Sequence, residues 1–168
     1  MVPSTRAAGN VPSAQSSPKP ARILAIDYGQ RRIGLAISDE LGVTAQPLAT
    51  MERKNRRADL RRLSDLVRKN GVGVILVGSP VHLSGQRSEM AEEAARFAAR
   101  VQKELRLPVE LRDERLTSWE AAQMVGESGM GKNAGIDSLA AAILLREYLD
   151  EAQSRRKSKR PVHARCEK

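Results

Sequence analysis

A chain of 168 residues with 40% hydrophobic content fits one domain of ordinary size with a real core. Its single cysteine, Cys166, excludes an intramolecular disulfide, a cysteine-rich zinc site and a CxxC redox motif, and no apolar run approaches the roughly 18 residues of a membrane span. The formal charge of +9 sits mainly at the ends: residues 1–22 contribute +3, residues 151–168 contribute +5, and the body between them only +1. Such arms can raise encounter rates with a polyanion without conferring specificity.

In chain order, residues 1–21 read as a flexible extension rich in Ser, Ala and Pro, with no apolar stretch of the secretory kind. Domain-like patterning spans 22–150. RILAIDYG is a short β-rich run, and RIGLAISD repeats its character after the compact connection GQRR, so the two form an antiparallel hairpin. A third extended segment lies in VTAQPLATM, where Pro47 favours a bend or an edge. Leu60, Leu63, Leu66 and Val67 have helical spacing within 55–69, with Arg and Lys between them. VGVILVG then reads as a strand covered on both faces, followed by a loop over GSPVHLSG. Residues 88–106 read as a helix, PVELRDE as a strand, TSWEAAQMV as a helix, and 135–150 as a last helix. Beyond it, 151–168 reads as a basic flexible tail. The sum is an α/β domain, a mixed sheet with helices on both faces.

Three acidic positions carry the chemistry. Asp27 ends the first strand, where the sheet fixes its backbone, and Gly29 leaves room beside it for a bound phosphate; a turn-forming Asp before Gly is the plainer reading of the same pair. Asp113 and Glu114 end the PVELRDE strand. Alternation groups Asp113 with Val109 and Leu111, and Glu114 with Glu110 and Arg112, which leans slightly to Asp113 as the ligand. Asp137 stands near a helix start, where it could merely cap the helix, but Ala140, Ala141 and Ala142 permit that helix to approach the sheet closely. Carboxylates in these places suit a hard divalent cation, Mg²⁺ or Mn²⁺. Two such ions roughly 4 Å apart stabilise both the attacking and the leaving oxygens of phosphoryl displacement.

Around them, Thr117 and Glu120 fit a capping box, a structural role, although a helix N-terminus with Arg115 beside it also suits a substrate phosphate. Arg31 and Arg32, in the hairpin connection, are candidate backbone contacts, and the basic cluster from Arg53 to Arg62 could extend the track. With Tyr28, Phe97, Trp119 and Tyr148 as the only aromatics, recognition should be of backbone and shape. Neither histidine, His82 or His163, neighbours a Ser or Cys motif, so a nucleophilic triad has little support.

The segments DYGQRRIGLAISD, ILVGSPVHLSGQ, DERLTSWEAA and IDSLAAAILLREYL, in this order, resemble the YqgF/RuvX family of ribonuclease H-like proteins. The resemblance covers about 22–150; Ser118, Ser79 and His82 depart from the family's usual residues and remove no carboxylate. It implies a ribonuclease H-like fold with a mixed five-stranded sheet. It implies a metal-dependent nuclease maturing the 5′ end of pre-16S rRNA in the cytoplasm, with Asp27, Glu114 and Asp137 holding the metal and Asp113 in reserve for Glu114. Resolution of Holliday junctions is the same chemistry on branched DNA, and it would need two sites related by symmetry, so monomer or homodimer becomes a discriminating property. A non-catalytic nucleic-acid-binding module is a further alternative. A two-lobed sugar kinase, which also begins with a DxG hairpin, fits poorly because Gln30-Arg31 stand where those proteins place Ser or Thr.

Overall fold

The β-rich runs and amphipathic segments of the chain assemble, in the computed structural model, around one mixed sheet; the structure describes residues 21–79, 89–113 and 135–158. Strands β1 (Arg22–Tyr28) and β2 (Arg32–Ser38) form the expected antiparallel hairpin. The amide of Gly29 donates to the Arg32 carbonyl at 3.0 Å and closes the turn. A Cβ at Gly29 would stand 2.6 Å from that carbonyl oxygen, so this glycine is required by the turn itself.

Pairing onto the outer edge of β2 departs from the expected single strand. The segment breaks into β3 (Ala45–Pro47) and β4 (Met51–Glu52), both antiparallel to β2, and the sheet has six strands where five were expected. Pro47 has no N–H to continue the ladder, and the chain crosses the gap with Leu48 N–H donating to the Leu35 carbonyl at 2.7 Å.

Helix α1 (Arg56–Asn70) begins at Asn55, whose side chain accepts from Ala58 N–H, and ends at Gly71 in the left-handed conformation. Strand β5 (Val72–Ser79) then pairs parallel to β1. After α2 (Glu89–Leu105), β6 (Val109–Asp113) pairs parallel to β5, giving the order β3-β2-β1-β5-β6 with β4 beside β2. The expected loop GSPVHLSG begins inside β5, which takes in Gly78 and Ser79; the rest of it and the helix over TSWEAAQMV lie outside the described residues.

Strand alternation divides the core between the two faces. Leu24, Ile26, Ile33, Leu35, Ile75 and Val77 pack against Leu63, Val67, Phe97, Ala98 and Val101 of α1 and α2. The opposite face offers Ala25, Ala36 and Leu76, and against them lies α3 (Ile136–Ser158) through Ala141, Leu145 and Leu149. Alanine on both sides of this interface lets helix and sheet approach closely, which brings the start of α3 onto the sheet.

Helix α3 also corrects the expected boundary at 150, because it runs to Ser158 and takes in the first eight residues of the segment read as a flexible tail. Glu151 anchors the added turns, pairing with Arg112 of β6 at 3.0 Å and with Arg155 one turn on at 3.5 Å. Arg112 in turn lies 4.8 Å from the Tyr148 ring centroid, and Tyr148 donates to Glu110. Burial, with the Glu110 charge beside it, pushes the Tyr148 phenol up.

Candidate active site at the end of β1

Asp27 is the sixth residue of a seven-residue strand, half-buried, on the face that carries α3. Its partner across the antiparallel pair is Gly34, and across the parallel pair Gly78. Glycine on both neighbouring strands leaves the space over this carboxylate free of their side chains.

That space is approached by the first turn of α3. A Cβ built on Gly34 would lie 1.9 Å from the Asp137 carbonyl oxygen and 2.9 Å from the Ser138 nitrogen, so the helix start rests directly on the backbone of β2. Opposed residues in an antiparallel pair have Cα atoms about 4.5–5.5 Å apart. The structure therefore brings Asp27 and Asp137, 110 positions apart in sequence, to adjoining places on one face. Ser138, fully buried, fastens the contact: its Oγ accepts from Leu35 N–H at 3.4 Å and shares a hydrogen bond with Thr50 Oγ1 at 2.9 Å. Neither Ser138 nor Thr50 was singled out from the sequence, since a serine in the first turn of a helix reads simply as a polar first-turn residue.

Asp137 keeps about a third of its side chain exposed and pairs with Arg32 Nε at 3.3 Å. Arg32 is thus engaged with the candidate carboxylate, whereas the Arg31 side chain is exposed and its carbonyl accepts from Arg53 N–H at 2.9 Å. Asp113 ends β6 opposite Ser79. The register Asp27–Gly78–Arg112 shows that Asp27 shares its face with Arg112 and Glu110. Glu114, Arg115 and Thr117 lie outside the described residues. Among the described residues, no three His, Cys, Asp or Glu side chains form a metal-sized group.

Arg53 has a role that its place in a basic cluster does not suggest. Its Nη1 donates to the carbonyls of Gly29 at 2.9 Å and Gln30 at 3.0 Å. Its guanidinium carbon sits 4.6 Å from the Tyr28 ring centroid, and its Nε lies 3.9 Å from the carboxylate of buried Asp59. Arg53 clamps the β1–β2 turn and hence fixes the strand end that presents Asp27. Replacement by Gln is expected to lower stability by about 2–3 kcal/mol in a urea titration, through two lost charge-assisted hydrogen bonds and a buried carboxylate deprived of its cation. A loss below about 0.5 kcal/mol, the usual range for a surface change, would show that the clamp is not formed.

A family model described as RuvX, Holliday junction resolvase, matches residues 21–151. The chain is 47% identical over 132 residues to a protein of Koribacter versatilis named "Putative pre-16S rRNA nuclease", covering 77% of this chain and 86% of that one. A protein of Syntrophus aciditrophicus with the same name is 44% identical, covering 77% and 88%. Among solved structures, Thermus thermophilus RuvC in complex with a Holliday junction substrate superposes with a TM-score of 0.53 at 17% identity, over 79% of this chain and 96% of that one. The fowlpox virus Holliday junction resolvase gives 0.52 at 17% identity, over 77% and 99%. These likenesses show the fold, which is of the ribonuclease H-like class. A match across most of the chain, joined by relatives at 44–47% identity, establishes that this protein belongs to the RuvX family.

Proposed function

We propose that this protein is a metal-dependent nuclease that hydrolyses phosphodiester bonds and processes the 5′ end of pre-16S rRNA in the cytoplasm. The observation that carries the reading is the seating of the Asp137 turn on Gly34, the cross-strand partner of Asp27. It supports two hard carboxylates sharing one site, in a family whose relatives are named as pre-16S rRNA nucleases. Glu114 is proposed as the third ligand on the family resemblance of the segment DERLTSWEAA. The donor set is oxygen only and suits Mg²⁺ or Mn²⁺.

Asp27, Glu114 and Asp137 would hold the metal, which when bound supplies Lewis-acid polarisation of the phosphoryl group and lowers the pKa of an attacking water. The chain's own contribution is positioning. The sheet fixes Asp27, the α3 start fixes Asp137, and Arg31 in the adjoining turn and Arg32 at the start of β2 stand to meet substrate phosphate, with Arg115 and Thr117 proposed as further contacts.

Resolution of a Holliday junction is the second reading, favoured by the description of the family model. It requires paired sites, hence a symmetric dimer. The test offers end-labelled precursor 16S rRNA, single-stranded RNA and a four-way DNA junction in parallel, with Mg²⁺, Mn²⁺ or EDTA, alongside sedimentation of the same protein. Metal-dependent trimming of the rRNA precursor is expected. Symmetric nicking of the junction by a stable dimer, with the rRNA untouched, would replace the first reading by the second.

A further inference from the structure

The face of the sheet opposite Asp27 carries a groove between α1 and α2 that the reaction above does not use. At one end it is a cleft of about 230 Å³ lined by Tyr28, Arg53, Arg56, Glu93, Arg96 and Arg100. Past Arg56 it continues as a wider cleft of about 460 Å³, where Arg57, Arg61 and Arg68 stand with Asp65 and Glu104. Arg56 lines both, so the two are one groove.

The arginines divide into two groups. Arg53 is held by the hairpin turn and Asp59, Arg68 by Asp65, and Arg96 by Glu92 at 3.7 Å. Among the described residues, Arg56, Arg57, Arg61 and Arg100 make no ion pair. Seven arginines line the groove against three carboxylates, Asp65, Glu93 and Glu104, so its lining is net positive, and an anion placed between the four guanidinium groups that make no ion pair relieves their repulsion. From Arg56 to Arg68 the helix rises about 18 Å. Phosphates along one strand of a duplex repeat about every 3.4 Å, so a strand of several phosphates fits the length of the groove. An isolated phosphate would fill only a part of it. The neighbouring aromatics Tyr28 and Phe97 pack on each other with ring centroids 4.6 Å apart, each 7% exposed, which leaves them closed to base stacking. The surface offers charge to the backbone and no aromatic face to a base.

We infer that this groove is a second nucleic-acid contact, holding the phosphate backbone of the substrate strand that flanks the cleavage point. The inference rests on the nucleic-acid reading proposed above. Asp27 and Tyr28 are consecutive and face opposite sides of the sheet, so the groove and the carboxylates open at the same end of β1. A structured substrate folding over the clamped β1–β2 turn touches both.

The test measures binding of a fluorescein-labelled RNA duplex with a single-stranded 5′ extension, in EDTA, to the full chain across a series of KCl concentrations. The variant carries Arg56→Gln, Arg57→Gln, Arg61→Gln and Arg100→Gln. A control removes equal charge elsewhere in the body of the chain, through Lys69→Gln, Lys103→Gln, Arg106→Gln and Arg146→Gln, all exposed and none lining the groove. The groove variant is expected to bind about tenfold more weakly near physiological salt, with a log–log salt slope shallower by about two or more, and the control to change by about twofold or less. If the quadruple variant fails to fold by circular dichroism, the Arg56→Gln/Arg100→Gln pair is expected to show about half the slope change. Equal affinity and slope in groove and control variants would overturn the inference. So would saturable binding of inorganic triphosphate to the groove with RNA affinity unaffected, which would assign it to a small anion. Failure of the nuclease reading is seen separately, as cleavage that survives Asp27→Asn while groove binding stands.

Discussion

Asparagine in place of Asp27 or Asp137 is expected to leave a folded protein whose metal-dependent cleavage falls by about a hundredfold or more. Each change keeps the side-chain shape and removes a ligand charge, and metal-ion catalysis supplies several kcal/mol of transition-state stabilisation, with about 1.4 kcal/mol per tenfold. Stability should hardly move. At Asp27, half-buried at a strand end, asparagine keeps the size and shape of the side chain, so stability should change by no more than about 1 kcal/mol. At Asp137 the lost pair with Arg32 is largely solvent-exposed, with side chains 62% and 33% accessible, and is worth under about 1 kcal/mol together with the helix-dipole contribution. Single-turnover cleavage with Mg²⁺, alongside a thermal melt, separates the two effects. Full activity in both proteins, and in Glu114→Gln, would end the nuclease reading; full activity in Glu114→Gln alone would move the third ligand to Asp113.

Gly34→Ala should be strongly damaging. Its Cβ would fall 1.9 Å from the Asp137 oxygen and 2.2 Å from its carbonyl carbon. Both are backbone atoms that cannot rotate aside, so the start of α3 must lift from β2, straining the Ser138–Leu35 and Ser138–Thr50 contacts and displacing Asp137. A loss of about 3 kcal/mol is expected, at the upper end for overpacking, with cleavage lost even at temperatures where the protein remains folded. Gly71→Ala is the matched control: at φ +65° with nothing within 4 Å of the added methyl, it should cost only about 1 kcal/mol and leave cleavage intact. Urea titrations of the two proteins decide the matter. Equal losses would mean that α3 does not rest on Gly34.

Local pattern was enough to place most elements. The apolar runs at 22–28 and 72–79, the leucine spacing of α1 and the alanine face of α3 are short-range signals, because burial selects side chains at the period of the element they occupy. Those signals also set Asp27 at a strand end and Asp137 at a helix start. The family could be read from four short segments taken in order. Pairing between distant segments has no such local trace. That Gly34 stands opposite Asp27 and beneath Asp137 depends on strand register and on the depth at which α3 settles, fastened by a hydrogen bond between residues 103 apart. The face that Arg112 shares with Asp27 follows from pairing with Gly78 and not from apolar neighbours in its own strand. Arg53 looked like one more charge in a basic run until the fold laid the β1–β2 turn against it. The helix outlasted its expected end at 150 because Glu151 found Arg112 on another element. The arginines of α1 and α2 became one groove only when both helices packed on the same face of the sheet. Hydrophobic periodicity determined which residues turn inward; register and packing alone decided which polar groups would meet.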